Sequence, residues 1–396
     1  MKRTKLIGKS RYLGYALIAV QGLLIALLVA YFVNGSYMQA WENYPSGNTD
    51  TITLHGVSDE RQAATARYLT NCAEEMELYI VRRDISLNNG GMNGSLIFGV
   101  YGNYKLPEAS LSFMNQNILD SDNLARLLTS DNTDSTLGVE TGSVNSLGDI
   151  PSFRFQNTIV VKQLPQLISS SETVNGSYSV VGLNEQNRQS FLDGLSEASG
   201  ISVEQLIQQG SGMAADSSLV RDMLLIFLAA QVFLSSVFYL VIAVISLTKE
   251  GKLVLLGWSQ KAFVKETLGA FVKTAVIFIP PVILVGWILS GWSAFSLNLM
   301  GYLFAGCVVN VLLLLIELCF AAFILLSIKA IDAIRGRIPK KPLYILGIMA
   351  YLLVSIGTVC FGSYFDTPLQ KIDENARISE QWASVSDYAI LRSLSV

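Results

Sequence analysis

Charged side chains are scarce in this chain of 396 residues. Asp, Glu, Lys and Arg make up only 15% of it, whereas apolar side chains make up 51%. A soluble globular domain carries about 25% charged residues. The composition therefore excludes an ordinary soluble protein, and it equally excludes a collagen, a coiled coil or a disordered tail.

Histidine and cysteine are also rare. The single histidine, His55, leaves too few side chains for a His/Cys metal cluster. The four cysteines are Cys72, Cys307, Cys319 and Cys360, and only Cys72 lies outside an apolar run. The hydrophilic part of the chain therefore cannot be a disulfide-stapled secreted scaffold. We expect the cysteines to act as small packing residues.

Recognisable catalytic motifs are missing as well. No segment matches the phosphate-binding pattern Gly-x4-Gly-Lys-Ser/Thr, because the triplet Gly8-Lys9-Ser10 lacks the upstream glycine. The sequence has no Gly-x-Ser-x-Gly nucleophile elbow and no paired-carboxylate signature. We therefore expect no enzymatic activity, no cofactor and no metal in this chain. Any ATP hydrolysis linked to it would take place in a separate polypeptide.

Long apolar runs are what the chain has instead. A hydrocarbon core of about 30 Å needs about 20 apolar residues in a helix. Five stretches meet this requirement: 12–33, 223–247, 268–289, 299–328 and 343–364. The first is longer than the 7–15 or so apolar residues of a cleaved signal peptide, and no clear cleavage site follows it, so we expect an uncleaved anchor. The sequence predicts a polytopic α-helical membrane protein with about five spans.

Lysine and arginine are concentrated in three short segments. Residues 1–11 carry five basic and no acidic residues, 249–266 carry four and two, and 329–342 carry five and one. These segments follow alternate spans, and basic loops stay in the cytoplasm. Segment 35–217, with 9 basic and 21 acidic residues, and the tail 365–396 then lie outside. We expect a bacterial plasma-membrane protein with a cytoplasmic N-terminus and an acidic extracellular domain, which does not bind nucleic acid.

Residues 35–217 alternate between strand and helix patterns. β-Branched and aromatic residues predict strands at 51–54, 78–85, 95–101, 157–163 and 178–182. The capping residues Ser58, Asn184 and Ser202 predict helices at 59–77, 185–198 and 203–209. The order strand, helix, strand, strand suggests a crossover, so we expect one large α+β domain between spans one and two. Residues 103–156 give no clear pattern.

The connection between spans two and three combines charge with an apolar seam. The second span continues into the sequence Lys-Glu-Gly-Lys-Leu-Val-Leu-Leu-Gly-Trp-Ser-Gln-Lys, residues 249–261. Gly257 is expected to end the helix, because glycine tolerates the left-handed conformation. This segment either docks into the groove of a partner protein or is a basic hairpin that holds lipid headgroups. The candidate contact residues are Lys249, Glu250, Gly251, Leu253, Leu256, Gly257 and Trp258.

This segment and the order of the spans resemble those of the FtsX/MacB-like (mechanotransmission) ABC permeases. That family combines a long N-terminal anchor, a large extracellular domain, three further spans and a segment that typically reads Arg-Glu-Ile-Gly-x-x-Arg-x-x-Gly-Ala. Gly251 and Gly257 match its two glycines at the same spacing. Lys249 stands where the family has its acidic residue, Glu250 follows one place later, and Val254 replaces the second basic residue.

A narrower resemblance concerns the bacteriocin-associated integral membrane (immunity) proteins of the same superfamily. It rests on Gly257-Trp258-Ser259, on the sequence Gly-Arg-Ile-Pro-Lys-Lys-Pro at 336–342, and on Trp382. Members of that family run longer, so this chain would cover their N-terminal part. The resemblance implies a separate ABC ATPase subunit acting on 249–261, a homodimer or a second permease chain, and a peptide ligand or substrate.

Polar residues inside the predicted spans are few. Glu317 is the only acidic residue deep in a span, and Asn310 lies two helical turns earlier on nearly the same face. A charge at mid-bilayer costs at least ~2.5 kcal/mol, so we expect Glu317 to face protein or water, or to be protonated. The two residues either hydrogen-bond neighbouring spans, which we favour, or form a gate. Pro280 and Pro281 should kink the third span, as a hinge or for packing.

Taken together, the sequence predicts the permease-like membrane subunit of an ABC system that exports a peptide such as a bacteriocin or protects against it. The alternative is a stand-alone immunity or peptide-sensing membrane protein without an ATPase partner. A membrane enzyme is a third class, which no candidate site supports. The expected partners are an ATPase subunit, a second permease chain or copy, a peptide and the lipid bilayer.

Overall fold

The structure is a computed structural model. It describes residues 2–327 apart from 87–94, 131, 133, 139–144, 154–157, 208–217 and 292–295, together with residues 344 and 348. The basic loop 329–342, the tail 365–396, Trp382 and nearly all of the predicted fifth span therefore lie outside the described residues. The chain divides into two compact units. One is formed within 1–18, 231–276 and 311–396, and the other within 19–230 and 277–310.

Ten α-helices and nine strands are described. In chain order they are α1 (Lys2–Glu42), β1 (Thr49–Leu54), α2 (Asp59–Glu75), β2 (Tyr79–Ser86), β3 (Ser95–Gly102), β4 (Leu111–Phe113), β5 (Gln116–Leu119), α3 (Ser121–Leu128), β6 (Thr136–Leu137), β7 (Ser146–Gly148), β8 (Thr158–Gln163), α4 (Leu164–Ser171), β9 (Gly176–Val181), α5 (Glu185–Ser199), α6 (Val203–Ile207), α7 (Ser218–Leu255), α8 (Gln260–Ile277), α9 (Ile279–Ser290) and α10 (Leu297–Leu326).

Three of these helices are long and apolar enough to cross a membrane. The candidate spans are Arg11–Glu42 in α1, Arg221–Leu255 in α7 and Leu297–Leu326 in α10. Helices α8 and α9 meet at an angle of 41° and add a fourth crossing if they form one span. The fold is thus mostly helical with a sheet-containing domain. The predicted first and second spans fall within α1 and α7, and α10 covers the predicted fourth span as far as Leu326.

The predicted kink in the third span is present. Helix α8 ends at Ile277, and α9 begins at Ile279 with its prolines in the first turn. Pro280 and Pro281 stand where the backbone N–H groups of a helix have no intrahelical partner, so their missing donors leave α9 intact. The interruption therefore lies at Phe278, between α8 and α9, and not at the prolines themselves.

The sheet contains seven strands in the order β1-β9-β2-β3-β8-β6-β7. Strands β1 and β2 are both antiparallel to β9, so they run parallel to each other with β9 between them. Helix α2 makes the connection from β1 to β2, which is the predicted crossover. All five predicted strands and all three predicted helices of this domain are present, with ends shifted by a few residues. Within 103–156, the described part consists of short elements that pair as the hairpin β4–β5 or add to the edge of the sheet.

One face of the sheet packs on α2 and α5. Ile80 and Tyr178 from the sheet, Leu69 and Cys72 from α2, and Phe191 from α5 belong to one buried cluster. Burial raises the pKa of the Cys72 thiol, which fits its expected role as an apolar packing residue. Cys307 is also buried, whereas Cys319 is exposed.

The opposite face of the sheet packs on the end of α1. Trp41 lies against Phe98, with 5.1 Å between ring centroids, and Tyr37 lies against Phe113 at the same separation. Tyr37 and Trp41 are fully buried. The Tyr37 hydroxyl donates to the carbonyl of Pro151. Helix α1 thus continues beyond the predicted span 12–33. Its last two turns are covered by the sheet domain.

The β4–β5 hairpin provides a second connection between this domain and a long helix. The Asn298 amide at the start of α10 donates to the carbonyl of Met114 at the hairpin turn, over 2.8 Å. The Ser296 hydroxyl lies 3.9 Å from the Met114 sulfur. The sheet domain is thus fixed to α1 and to the beginning of α10.

Candidate coupling segment and intramembrane polar residues

Helix α7 ends in a regular glycine cap. Gly257 has φ +91°. The N–H of Trp258 donates to the carbonyl of Leu253 (3.0 Å), and the N–H of Gly257 donates to that of Val254 (3.1 Å). This pair of hydrogen bonds defines a Schellman motif, in which a left-handed residue satisfies the last carbonyls of a helix. The predicted end of the helix at Gly257 is therefore present.

Helix α8 begins immediately after this cap. The Ser259 hydroxyl accepts from the N–H of Ala262 over 3.2 Å, and the Ser259 carbonyl accepts from the N–H of Phe263 over 3.1 Å. Serine is a favoured N-cap residue because its side chain supplies an acceptor to the first turn. Only four residues, 256–259, thus separate α7 from α8, and the two helices form a tight helical hairpin.

The turn of this hairpin exposes apolar side chains. Leu256 is 79% exposed, Leu255 is 65% exposed and Trp258 is 47% exposed, whereas Leu253 is half-buried. The apolar tip, as we call Leu255, Leu256 and Trp258, includes one residue that the sequence interpretation omitted. The sequence signal for Leu255 is its position beside Leu256, just before the glycine that ends the helix. Adjacent residues at a helix end point in different directions, so both leucines can be exposed there.

Glu250 and Gly251 are buried rather than exposed. Glu250 is 1% exposed, and neither of its carboxylate oxygens has a hydrogen-bond partner among the described residues. It lies on the same face of α7 as the buried residues Tyr239, Ala243 and Ser246, at helical spacing. The structure therefore separates the seven predicted contact residues: three are exposed at the turn (Leu256, Gly257 and Trp258), Lys249 is exposed farther back on α7, Leu253 is half-buried, and Glu250 and Gly251 are buried.

Exposed lysines lie on both helices of the hairpin. Lys249 and Lys252 on α7 and Lys261 and Lys265 on α8 are all exposed. Glu266 is the exposed acidic residue of the segment, since Glu250 is buried. The solvent-facing charge of 249–266 is therefore +3, one more than the sequence count gives.

The two predicted intramembrane polar residues both lie on α10. Asn310 is 5% exposed, and its amide nitrogen would lie 3.0 Å from a Cβ added at Gly22 of α1. Its side-chain oxygen has no hydrogen-bond partner among the described residues. The expected hydrogen bond between spans is therefore not made by this oxygen, while the amide nitrogen lies close to α1 at Gly22.

Glu317 lies in the other compact unit and is 1% exposed. It interacts electrostatically with Tyr239 of α7, whose side chain is fully buried. The carboxyl group therefore faces protein rather than lipid, as expected for an ionisable residue inside a span. Another polar group in the same unit is the Gln231 amide, which donates to the carbonyl of Leu17 over 3.1 Å.

Comparison with known proteins adds no family. No protein-family model matches the chain, and no curated protein matches its sequence significantly. Among the residues that the structure describes, no group of three or more His, Cys, Asp or Glu side chains is placed to hold a metal ion. The helical hairpin, which contains the glycine pair Gly251 and Gly257, is therefore the feature of the described residues that bears on function.

Proposed function

We propose that this protein is the permease-like membrane subunit of an ABC system of the mechanotransmission type. A separate ATPase subunit would bind the α7–α8 hairpin from the cytoplasm. The sheet domain would lie outside a bacterial plasma membrane crossed by about five spans. The ligand or substrate would be a peptide such as a bacteriocin, which the system exports or keeps away from the membrane.

The observation that carries this proposal is the position of the apolar tip. Eight residues separate Leu255 from Leu247, where the predicted second span ends, and eight separate Gln260 from Leu268, where the third begins. At 1.5 Å per residue, each helix extends about 12 Å beyond the hydrocarbon core. The headgroup layer is only about 5–8 Å thick on each side, so the tip would lie in water on the cytoplasmic side.

Exposed apolar side chains in water favour a protein partner over a lipid anchor. Burying a side chain such as Leu or Trp contributes about 1.5–3 kcal/mol, and the tip presents three of them, Leu255, Leu256 and Trp258. A helical hairpin closed by a cap at each side of its turn is also preorganised, so little conformational entropy is lost on binding. Both features suit a rigid insertion into a groove.

The contacts of the sheet domain support the transmission of movement. Helix α1 runs unbroken from Lys2 to Glu42, and its last turns carry the buried residues Tyr37 and Trp41. A displacement of α1 would therefore move the domain attached to it. ATP-driven closure of the partner would in this way change the position or shape of the domain that meets the peptide.

The test is a double substitution in the tip, Leu256→Ala with Trp258→Ala. A tryptophan in a protein groove contributes ~2 kcal/mol or more, which is about thirtyfold in affinity. The full-length chain is purified from its host in mild detergent, and the ATP-hydrolysing activity retained with it is measured. We expect the double variant to lose most of this activity while it inserts into the membrane normally.

The matched control is Val241→Ala with Ile245→Ala. Both side chains are 49% exposed on the same helix, but they lie inside the predicted span, so they should not affect retention of the ATPase. If no ATP-hydrolysing subunit accompanies the parent chain, or if the tip variant retains as much as the control, the coupling role is wrong. The stand-alone immunity or peptide-sensing protein then becomes the better explanation.

A further inference from the structure

The four exposed lysines of the hairpin differ in their distance along the helices from the ends of the predicted spans. If the hydrocarbon core ends at Leu247 and Leu268, Lys249 and Lys265 would lie two and three residues from it, about 3 Å and 4.5 Å. Lys252 and Lys261 would lie about 7.5 Å and 10.5 Å from it by the same measure. The inner pair would then be at headgroup depth, and the outer pair at or beyond the edge of the headgroup layer.

We infer that Lys252 and Lys261 pair with carboxylates on the rim of the groove that takes the apolar tip, so that the partner presents an apolar floor with an acidic rim. This inference rests on the proposed function, because it specifies the chemistry of the same partner. The inner pair, Lys249 and Lys265, binds lipid phosphates instead and sets the depth of the hairpin.

The charge of the segment supports an acidic partner surface. The burial of Glu250 removes the acidic residue that would otherwise lie between Lys249 and Lys252. Glu266 lies beside Lys265, five residues from Lys261 along α8. It therefore offsets the positive charge of the inner pair rather than that of the lysines nearer the tip. Among the described residues of this segment, the charged side chains nearest to Leu255, Leu256 and Trp258 along the chain are thus the lysines Lys252 and Lys261.

This arrangement matches the usual anatomy of a protein interface. Such interfaces have an apolar centre and a polar rim, and rim charges set the association rate and the choice of partner more than the total affinity. Charges at the rim remain accessible to salt, since the Debye length falls from about 10 Å at 0.1 M to about 3 Å at 1 M ionic strength. The contribution of the outer lysines should therefore decrease as salt increases.

The experiment compares two charge reversals of equal size. One variant carries Lys252→Glu with Lys261→Glu, and the matched control carries Lys249→Glu with Lys265→Glu. Each full-length chain is reconstituted in nanodiscs of neutral phosphatidylcholine, and the ATPase subunit purified with the parent chain is titrated onto it at low and high NaCl. We expect at least tenfold weaker binding (about 1.4 kcal/mol) for the outer variant at low salt, a smaller difference at high salt, and nearly parental binding for the inner variant.

Three results would overturn the inference. Equal effects of the inner and outer reversals would show that only the total charge matters. Parental binding by the outer variant, together with loss of binding by the tip variant, would disprove the acidic rim while leaving the proposed function intact. The same titration is repeated in nanodiscs rich in phosphatidylglycerol. If reversal of the outer lysines weakens binding only there, anionic lipid is the partner of these lysines. Failure of the parent chain to bind any ATPase would instead disprove the proposed function itself.

Discussion

The junction between α1 and the sheet domain allows a quantitative test of how the domain is held. Trp41 is fully buried and contacts three aromatic rings, those of Phe98, Tyr44 and Tyr37, at centroid separations of 5.1, 5.6 and 6.4 Å. Replacing a buried tryptophan with alanine costs about 3–5 kcal/mol, from lost burial and from the cavity that remains. Trp41→Ala should therefore detach or loosen the end of α1 from the sheet.

The expected effect is large enough to measure in the full-length chain. For a folded unit of about 150–250 residues, 1 kcal/mol corresponds to a shift of about 2–4 °C in melting temperature, so Trp41→Ala should lower it by roughly 10 °C. Thermal unfolding in detergent, followed by far-ultraviolet circular dichroism, measures this shift. Phe32→Ala is the control, because Phe32 lies on the same helix and is 53% exposed.

Melting temperatures of Trp41→Ala and Phe32→Ala within about 2 °C of each other, a difference of at most about 1 kcal/mol, would contradict this expectation. That result would mean that the end of α1 is not held by the aromatic contacts. The transmission of movement through α1 would then lose its structural basis. Trp41→Phe offers an intermediate case, since it keeps an aromatic ring against Phe98 and should recover much of the lost stability.

Two further predictions concern the spans. Glu317→Gln keeps the shape of the side chain and removes its ability to carry a charge, so we expect normal expression and activity if the residue only joins spans; a large loss of activity at normal expression would indicate a charge-dependent gate. For the topology, Cys72 is too buried to report accessibility, so cysteines are introduced at the exposed positions Thr51 and Ser259. An impermeant maleimide added to intact cells should label position 51 and leave position 259 unlabelled until the membrane is opened, and the reverse pattern would invalidate the orientation.

Much of the fold could be predicted from sequence because it depends on local periodicity. Uniformly apolar runs define α1, α7 and α10, and β-branched runs define the strands β1, β2, β3, β8 and β9. The capping box at Asn184, in which Asn184 and Asn187 exchange hydrogen bonds, defines the start of α5. In each case a short stretch of sequence determines the element without help from distant contacts.

The segment 103–156 could not be assigned because its signals are not local. The β4–β5 turn places Met114 (φ 51°) and Asn115 (φ 58°) in the left-handed conformation. Hairpin turns of this kind normally carry Asn-Gly or Asp-Gly, and methionine gives no such signal. The contacts of Phe113 with Tyr37 and of Met114 with Asn298 stabilise the turn from distant parts of the chain. No window of sequence contains that information.

The candidate site was predictable in position and not in detail. Gly257 marked the end of α7 by its residue type alone. The burial of Glu250 was not predictable, because charge normally indicates exposure. The side chain is buried because it continues the face of Tyr239, Ala243 and Ser246, which packs inside its unit. Which face of a long apolar helix packs against protein is set by its neighbours in space.

The route by which movement could reach the sheet domain follows from where that domain is attached. A continuous helix transmits displacement along its axis because each turn is hydrogen-bonded to the next, whereas a break absorbs it. Helix α1 has no break between Lys2 and Glu42, and α10 has none between Leu297 and Leu326. Helices α8 and α9 are separated at Phe278 and differ in direction by 41°. Since the domain is fixed to α1 by Tyr37 and Trp41 and to α10 by Asn298, these two unbroken helices are the connections through which a displacement would reach it.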